Sequence, residues 1–369
     1  MFGNISNLQT DRDKTEDAFQ KNMTPFWDTE LVYNEALTMV AFDGKMPEAP
    51  LMYPAKKILS VRSATLDTVY REGADWVYED GRLKLPEGSS IPYFTEKEFY
   101  PSEPIEGATF PKDGGGFLMF AEGTFFHEHQ LAVTYACSKG QWKGLVPEFA
   151  GAKLPNTMRM LKEEKKLKLV LYGDSISAGA NASGRGGVAP AIPIWGQMVA
   201  DTLRDSYNAD ITFLNPSVGG KRSDWGVQNV TELVSCKMPD LVIIAFGMND
   251  GTSNVPPSEF KANIKSIMDD VRSENPNTEF LLVSTILPNK LALTAVDGSS
   301  FYGEQRNYKP VLNELCHEYT GTVLVNMTDI HQELLRHKRF IDMTGNNVNH
   351  PNDFLIRWYA QVISAMLVQ

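Results

Sequence analysis

From about residue 167 onward the chain repeats one pattern. Short, nearly continuous apolar runs at 167–172, 211–214, 241–246, 280–286 and 322–326 read as strands covered on both faces. Stretches near 194–206, 257–272 and 308–319 lie between them with apolar residues at helical spacing, and a last such stretch runs near 354–367. Strands alternating with helices at this spacing predict a doubly wound, parallel α/β sheet.

The first 160 residues follow a different rhythm, of short β segments broken by frequent turn signals. In "DWVYEDGRLKL", Asp80-Gly81 separates two alternating runs and predicts a two-residue hairpin. "GFLMFAEGTFFHEHQLAVTYAC" predicts two further strands around Glu122-Gly123, and "PYFTEKEFYPSEPIEGATFPKDGGG" is rich in Pro and Gly. A smaller, jelly-roll-like β-sandwich domain over residues 1–160 follows, with a helix or extended arm within the first 40. The charged run Lys162-Glu163-Glu164-Lys165-Lys166 then marks the passage to an α/β domain over 161–369. At 369 residues the chain is long enough for both units to bury a core.

Composition narrows the partners. With 42% hydrophobic residues, 22% charged residues and a net charge of −11, the chain lacks the basic footprint that nucleic acid or an anionic membrane needs. Neither a signal-peptide core at the N-terminus nor an apolar run of about 18 residues is evident. Cys137, Cys236 and Cys316 are odd in number and widely spaced, which fits reduced thiols in a cytoplasm, with secretion open if a leader was removed. The partner expected is a small-molecule or oligosaccharide ester, and the oligomeric state stays open.

In a doubly wound sheet, ligands bind beyond the carboxyl ends of the strands. "LVLYGDSISAG" ends its apolar run at Gly173-Asp174-Ser175, the second run is followed by "NPSVGGKRSDWG", the third by Gly247-Met248-Asn249-Asp250, and "DMTGNNVNHPND" precedes the last helix. These segments supply the parts of an acyl-transfer site. Ser175 is the candidate nucleophile and His350 the base; the amides of Ser175 and Gly220 and the side chain of Asn249 are candidate oxyanion donors. Pro351 pushes His350 out of the helical region, and Asn352 or Asp353 can cap the helix that follows. This chemistry requires no metal and no organic cofactor.

The ordered set Gly-Asp-Ser, a Gly after Asn-x-x-x-x, Gly-x-Asn-Asp and a late His-Pro resembles the SGNH (GDSL) hydrolase superfamily. The resemblance covers about 167–369 and maps its four signature residues onto Ser175, Gly220, Asn249 and His350. With a β-sandwich ahead of it, the chain is similar to the superfamily's two-domain carbohydrate acetylesterases, an architectural likeness that does not fix a substrate. One departure stands out. Members usually carry Asp three residues before the histidine, and this chain has Asn347; either Asn347 or a backbone carbonyl orients the ring, or Asp342 folds back to do so. A classical α/β-hydrolase would need G-x-S-x-G, where this chain has Ser177 at the final position.

Other residues carry blander readings. His127 and His129 in "FFHEH" would share a strand face, yet no third metal ligand is at hand, so surface or packing histidines are expected. Among the tryptophans, Trp358 reads as core with Leu355, Val362 and Met366, and Trp195 remains open to packing or sugar stacking. Trp225 fits a core or a sugar platform equally. The implied function is a serine esterase removing acetyl or other short acyl groups, chiefly from a carbohydrate. A lipid-ester or thioester hydrolase, or an inactive carbohydrate-binding relative, are the alternatives.

Overall fold

The computed structural model describes residues 19–369. The leader-free reading of the N-terminus and most of the expected arm fall within residues 1–18, outside the described residues; residues 19–23 are helical. The second half is built on five strands: β1 (Lys166–Gly173), β2 (Asp210–Leu214), β3 (Leu241–Ala245), β4 (Glu279–Ser284) and β5 (Thr322–Asn326). All pair in parallel, in the spatial order β2-β1-β3-β4-β5. Six main helices accompany them: α1 (Trp195–Tyr207), α2 (Ser223–Leu233), α3 (Pro257–Glu274), α4 (Tyr308–Glu318), α5 (Met327–His337) and α6 (Asp353–Leu367).

The period-2 alternation of strand side chains divides the core. Leu169, Leu171, Ile243, Leu281 and Val283 face one side with residues of α1, α5 and α6. Val170, Tyr172, Val242, Ile244 and Leu282 face the other, against α2, α3 and α4. The central strands β1, β3 and β4 are therefore buried on both faces, which is why their sequences are nearly continuous in apolar residues, while the edge strand β2 leaves Asp210 and Thr212 exposed. α2 was not expected, and α5 was expected only as a further helix after the fifth strand, without bounds. Gly226 and the polar residues of "SDWGVQNVTEL" dilute the apolar stripe of α2. α5 follows β5 with no intervening loop, because Asn326 ends the strand and caps the helix by accepting from the Asp329 N–H.

The N-terminal portion is β-rich but is not the jelly-roll-like sandwich expected. Among the described residues its strands form a four-stranded antiparallel sheet, with 31–38, 130–136, 57–63 and 69–70 in spatial order, and three smaller sheets of two or three strands. The Asp80-Gly81 hairpin is present: 77–79 and 82–84 pair antiparallel, with Asp80 and Gly81 both at positive φ as a primed turn demands. The two strands expected around Glu122-Gly123 are present as 117–119 and 130–136; they do not pair with each other, since 117–119 pairs with 109–111 and Phe125–Glu128 is a single helical turn between them. The apolar residues of the main sheet, among them Val32, Leu37, Leu131 and Val133, share one core with α6. That helix is buried on nearly every face, as "FLIRWYAQVISAML", apolar all round but for Arg357, Gln361 and Ser364, requires.

Candidate active site

Strand order places the site. The chain leaves β1 with its neighbours β2 and β3 on opposite sides, so the connections after β1 and β2 diverge and open a crevice at the carboxyl end of β1. Gly173 closes β1 so near β3 that a Cβ there would lie 2.4 Å from the Ala245 carbonyl oxygen. The turn beyond it is held by Ala180 N–H donating to Ser175 O, by Ile176 N–H donating to Asp174 Oδ1, and by Trp195 Nε1–H donating to Ile176 O. Trp195 is thus a buried prop stacked on Tyr359, not a sugar platform. Asp174 is enclosed beneath the turn. Burial pushes its carboxyl up to about 7, with Asp250 adding to the rise and the Ile176 N–H opposing it.

Ser175 and His350, 175 positions apart, meet: Ser175 Oγ lies 2.9 Å from His350 Nε2. The loop that brings the imidazole there is organised by Asn346, whose Oδ1 accepts from the backbone N–H groups of Val348, Asn349 and His350, each at 3.0 Å. Behind the ring, His350 Nδ1 lies 2.7 Å from Asn181 Oδ1 and 3.2 Å from Glu122 Oε2. The Asn181 amide nitrogen donates to the carbonyls of Gly123 and Gly345, so its oxygen is the atom that faces the ring. Two acceptors at Nδ1 put the proton there and leave Nε2 bare for the serine hydroxyl.

Gly220 and Asn249 line the same open cavity, of about 460 Å³. Asn249 Nδ2 donates to Lys221 O at 3.0 Å, fixing the amide while leaving its second hydrogen free. Among the described residues, the backbone N–H groups of Ser175 and Gly220 have no hydrogen-bond partner. Gly220 sits at φ +73°, a conformation glycine adopts without strain. Unpaired amides beside a nucleophile can stabilise a developing oxyanion.

With this geometry in hand, the comparison with known sequences is informative. Residues 171–354 match the GDSL-like lipase/acylhydrolase family. That segment belongs to it. The GDSL-like segment holds Ser175, Gly220, Asn249 and His350 alike. The chain is 28% identical over 116 residues to the arylesterase of Vibrio mimicus, 31% of this chain and 54% of that protein. Over 120 residues, 32% of this chain, it is 28% identical to thioesterase 1/protease 1/lysophospholipase L1 of Escherichia coli K12, of which it covers 51%. The chain thus spans about half the length of the curated relatives it matches. Among solved structures it is similar to a two-domain esterase active on acetylated mannans, with 21% identity, 60% of this chain and 54% of that one covered, and a TM-score of 0.46. It is also similar to the acetylxylan esterase Axe2 of Geobacillus stearothermophilus, with 18% identity, 53% and 92% covered, and a TM-score of 0.42.

The orienting residues expected of a GDSL-like site are not those found. Asn347 is fully buried with its amide turned away from the ring: Nδ2 donates to Met119 O at 2.9 Å, and its own carbonyl groups accept from Asn289 Nδ2. Asp342 is buried as well. It pairs with Arg339 and accepts from Thr38 N–H at 2.8 Å, so it ties a turn of the GDSL-like half to the N-terminal sheet. Asn181 and Glu122 were missed. Asn181 stands six positions after Ser175, and its carbonyl could have been suspected; Glu122 is 228 residues from His350 and sits in what reads as an ordinary turn. Nothing local marks it.

The remaining candidates separate. His127 and His129 do not alternate on a strand, because residues 125–128 form a helical turn. His127 Nε2 donates to Ala189 O, while His129 Nδ1 donates to Phe125 O and stacks on Phe94. Trp358 is core, and Trp225 is half core and half wall: it packs on Tyr172 and lines the cavity with Lys221 Nζ 5.7 Å from its ring.

Proposed function

We propose that the protein is a serine esterase that removes acetyl or other short acyl groups, chiefly from a carbohydrate. The observation that carries the reading is the 2.9 Å approach of Ser175 Oγ to a His350 ring whose far nitrogen already has its acceptors. Ser175 Oγ attacks the ester carbonyl as His350 Nε2 takes its proton. The tetrahedral oxyanion accepts from the Ser175 and Gly220 N–H groups and from Asn249 Nδ2. The imidazolium then protonates the departing alkoxide oxygen, and water, deprotonated by the same ring, releases the acyl group and restores Ser175.

The cavity beside Gly220 and Asn249 supports a polar alcohol portion. Lys221, the Arg222–Asp224 pair, Thr252 and Ser253 present charges and hydroxyls, and Trp225 offers an aromatic edge. This lining suits a hydroxylated sugar better than a fatty chain. The N-terminal portion, in this reading, helps shape the substrate's approach. The test compares nitrophenyl acetate with nitrophenyl octanoate, then acetylated oligosaccharides, for the wild type and Ser175→Ala. Acetyl esters should give the higher kcat/KM, and Ser175→Ala should lose at least about 10³-fold. Preference for octanoate would move the reading to lipid esters, and an active Ser175→Ala would remove the nucleophile.

A further inference from the structure

Glu122 is a carboxylate standing at the back of the catalytic imidazole, delivered by the N-terminal portion and not by the loop that carries the histidine. Its two oxygens are both engaged: Oε2 faces His350 Nδ1 at 3.2 Å, and Oε1 accepts from Asn346 Nδ2 at 3.1 Å. Asn346 is the residue whose Oδ1 gathers the backbone of the histidine loop. The turn bearing Glu122 is pinned from the other side by Asn181 Nδ2 donating to Gly123 O, and its preceding strand by Asn347 Nδ2 donating to Met119 O. We propose that Glu122 is the charged positioning residue of this esterase, acting together with the neutral carbonyl of Asn181, so that the N-terminal portion completes the catalytic machinery.

The two partners divide the work. Asn181, nearer at 2.7 Å, fixes the tautomer and ring orientation but supplies no charge. Glu122 supplies the charge that favours the imidazolium formed as Ser175 gives up its proton. Burial works against the ionised Glu122, yet the hydrogen bonds from His350 and Asn346 and the charge on the ring outweigh it and hold its carboxyl below the usual range. The carboxylate is therefore ionised throughout neutral pH. Its side chain is about half exposed, 52%, so solvent screens part of its effect. Among the described residues, Asp174 beneath the serine turn, its carboxyl raised by burial, also feels the charge of His350; Ser175 and Asn181, which touch the ring, are neutral.

The proposal rests on the Ser175–His350 reading, and its test keeps the two apart. Glu122→Gln retains the size and the acceptor for Asn346 while removing the charge. Because Asn181 still holds the tautomer, kcat on nitrophenyl acetate should fall about 10–100-fold, less than the roughly 10⁴-fold seen when an orienting acid and the tautomer are lost together, with KM changed less than about twofold. The imidazolium loses its neighbouring charge, so the acid limb of the kcat/KM–pH profile should move to lower pH; Asp174 is present in both proteins and cannot produce the difference. A loop-holding role would lower kcat or the melting temperature and leave that limb in place. Wild-type kinetics, or a loss of rate with an unmoved limb, overturns the role of Glu122. Activity in Ser175→Ala overturns the underlying reading instead.

Discussion

Asn347 and Asp342 show how a residue in the right sequence position can do different work. The family position three before the histidine would hold an acid, but here φ of +66° at Asn347 turns its side chain toward Met119 and Asn289. An Asn347→Asp change would set a carboxylate against the Met119 carbonyl and lose that donor. The cost should be about 1–3 kcal/mol, as for a buried polar group left unpaired, with no gain in kcat. Asp342→Ala should destabilise more, by about 3 kcal/mol, because it strands the partly buried Arg339 and the Thr38 N–H. On nitrophenyl acetate its kcat/KM should stay within about threefold of wild type. Denaturant titration with parallel kinetics checks both. A stable Asp342→Ala with a large loss of kcat would restore Asp342 as the orienting acid.

At the scale of elements, the glycines around the site serve different physical needs, and substitution separates them. Gly173 closes β1 against β3, where a Cβ would meet the Ala245 carbonyl at 2.4 Å and Ser177 Oγ at 2.5 Å. Gly173→Ala must push the strands apart and should cost about 3 kcal/mol, the upper range for overpacking. Gly220 has open space around its missing Cβ but a φ of +73°, so Gly220→Ala should cost only about 1–2 kcal/mol of backbone strain. Equal unfolding midpoints for the two variants would contradict this. The same elements show what the sequence makes legible. All five parallel strands and α1, α3, α4 and α6 are readable because burial on two faces or on one stripe leaves a periodic trace; Ser175, Gly220 and Asn249 are readable because they follow strand ends in order, and His350 because His-Pro precedes the last helix. Glu122 is not, since its role depends on an encounter across 228 residues that no local pattern encodes. The N-terminal sheets are misread for a related reason. Alternation reveals that a strand has one buried face, but not that a helix, α6, covers it.

For the whole molecule, the decisive feature is that the two halves share a core. Trp358 of α6 packs against Phe26, Trp27 and Trp142, with ring centroids 4.8–5.7 Å away. Arg357, fully buried, donates to the carbonyls of Tyr33 and Asn34; burial lowers its guanidinium to about 10, so it is still charged at neutral pH. Lys338 and Glu35 form an ion pair with no exposed surface, and Glu35 also accepts from Tyr135 Oη–H and Met52 N–H. The Trp358, Arg357 and Lys338 contacts cross between the N-terminal portion and the GDSL-like half, while the Tyr135 and Met52 bonds hold Glu35 from within the N-terminal portion. A chain beginning near Lys162 would expose the apolar face of α6 and leave Arg357 and Lys338 without these partners, the circumstance in which breaking a buried pair costs about 3–5 kcal/mol. Against a total stability of about 5–15 kcal/mol, those losses together with the exposed Trp358 surface should leave the fragment unfolded or aggregated. Its removal also takes away Glu122. Expression of residues 162–369 followed by sedimentation and circular dichroism checks this. A monomeric, cooperatively melting fragment would mean that the shared core is not needed for folding. If that fragment also hydrolysed nitrophenyl acetate at the full-length rate, neither the shared core nor the carboxylate of Glu122 would be part of what makes the site work.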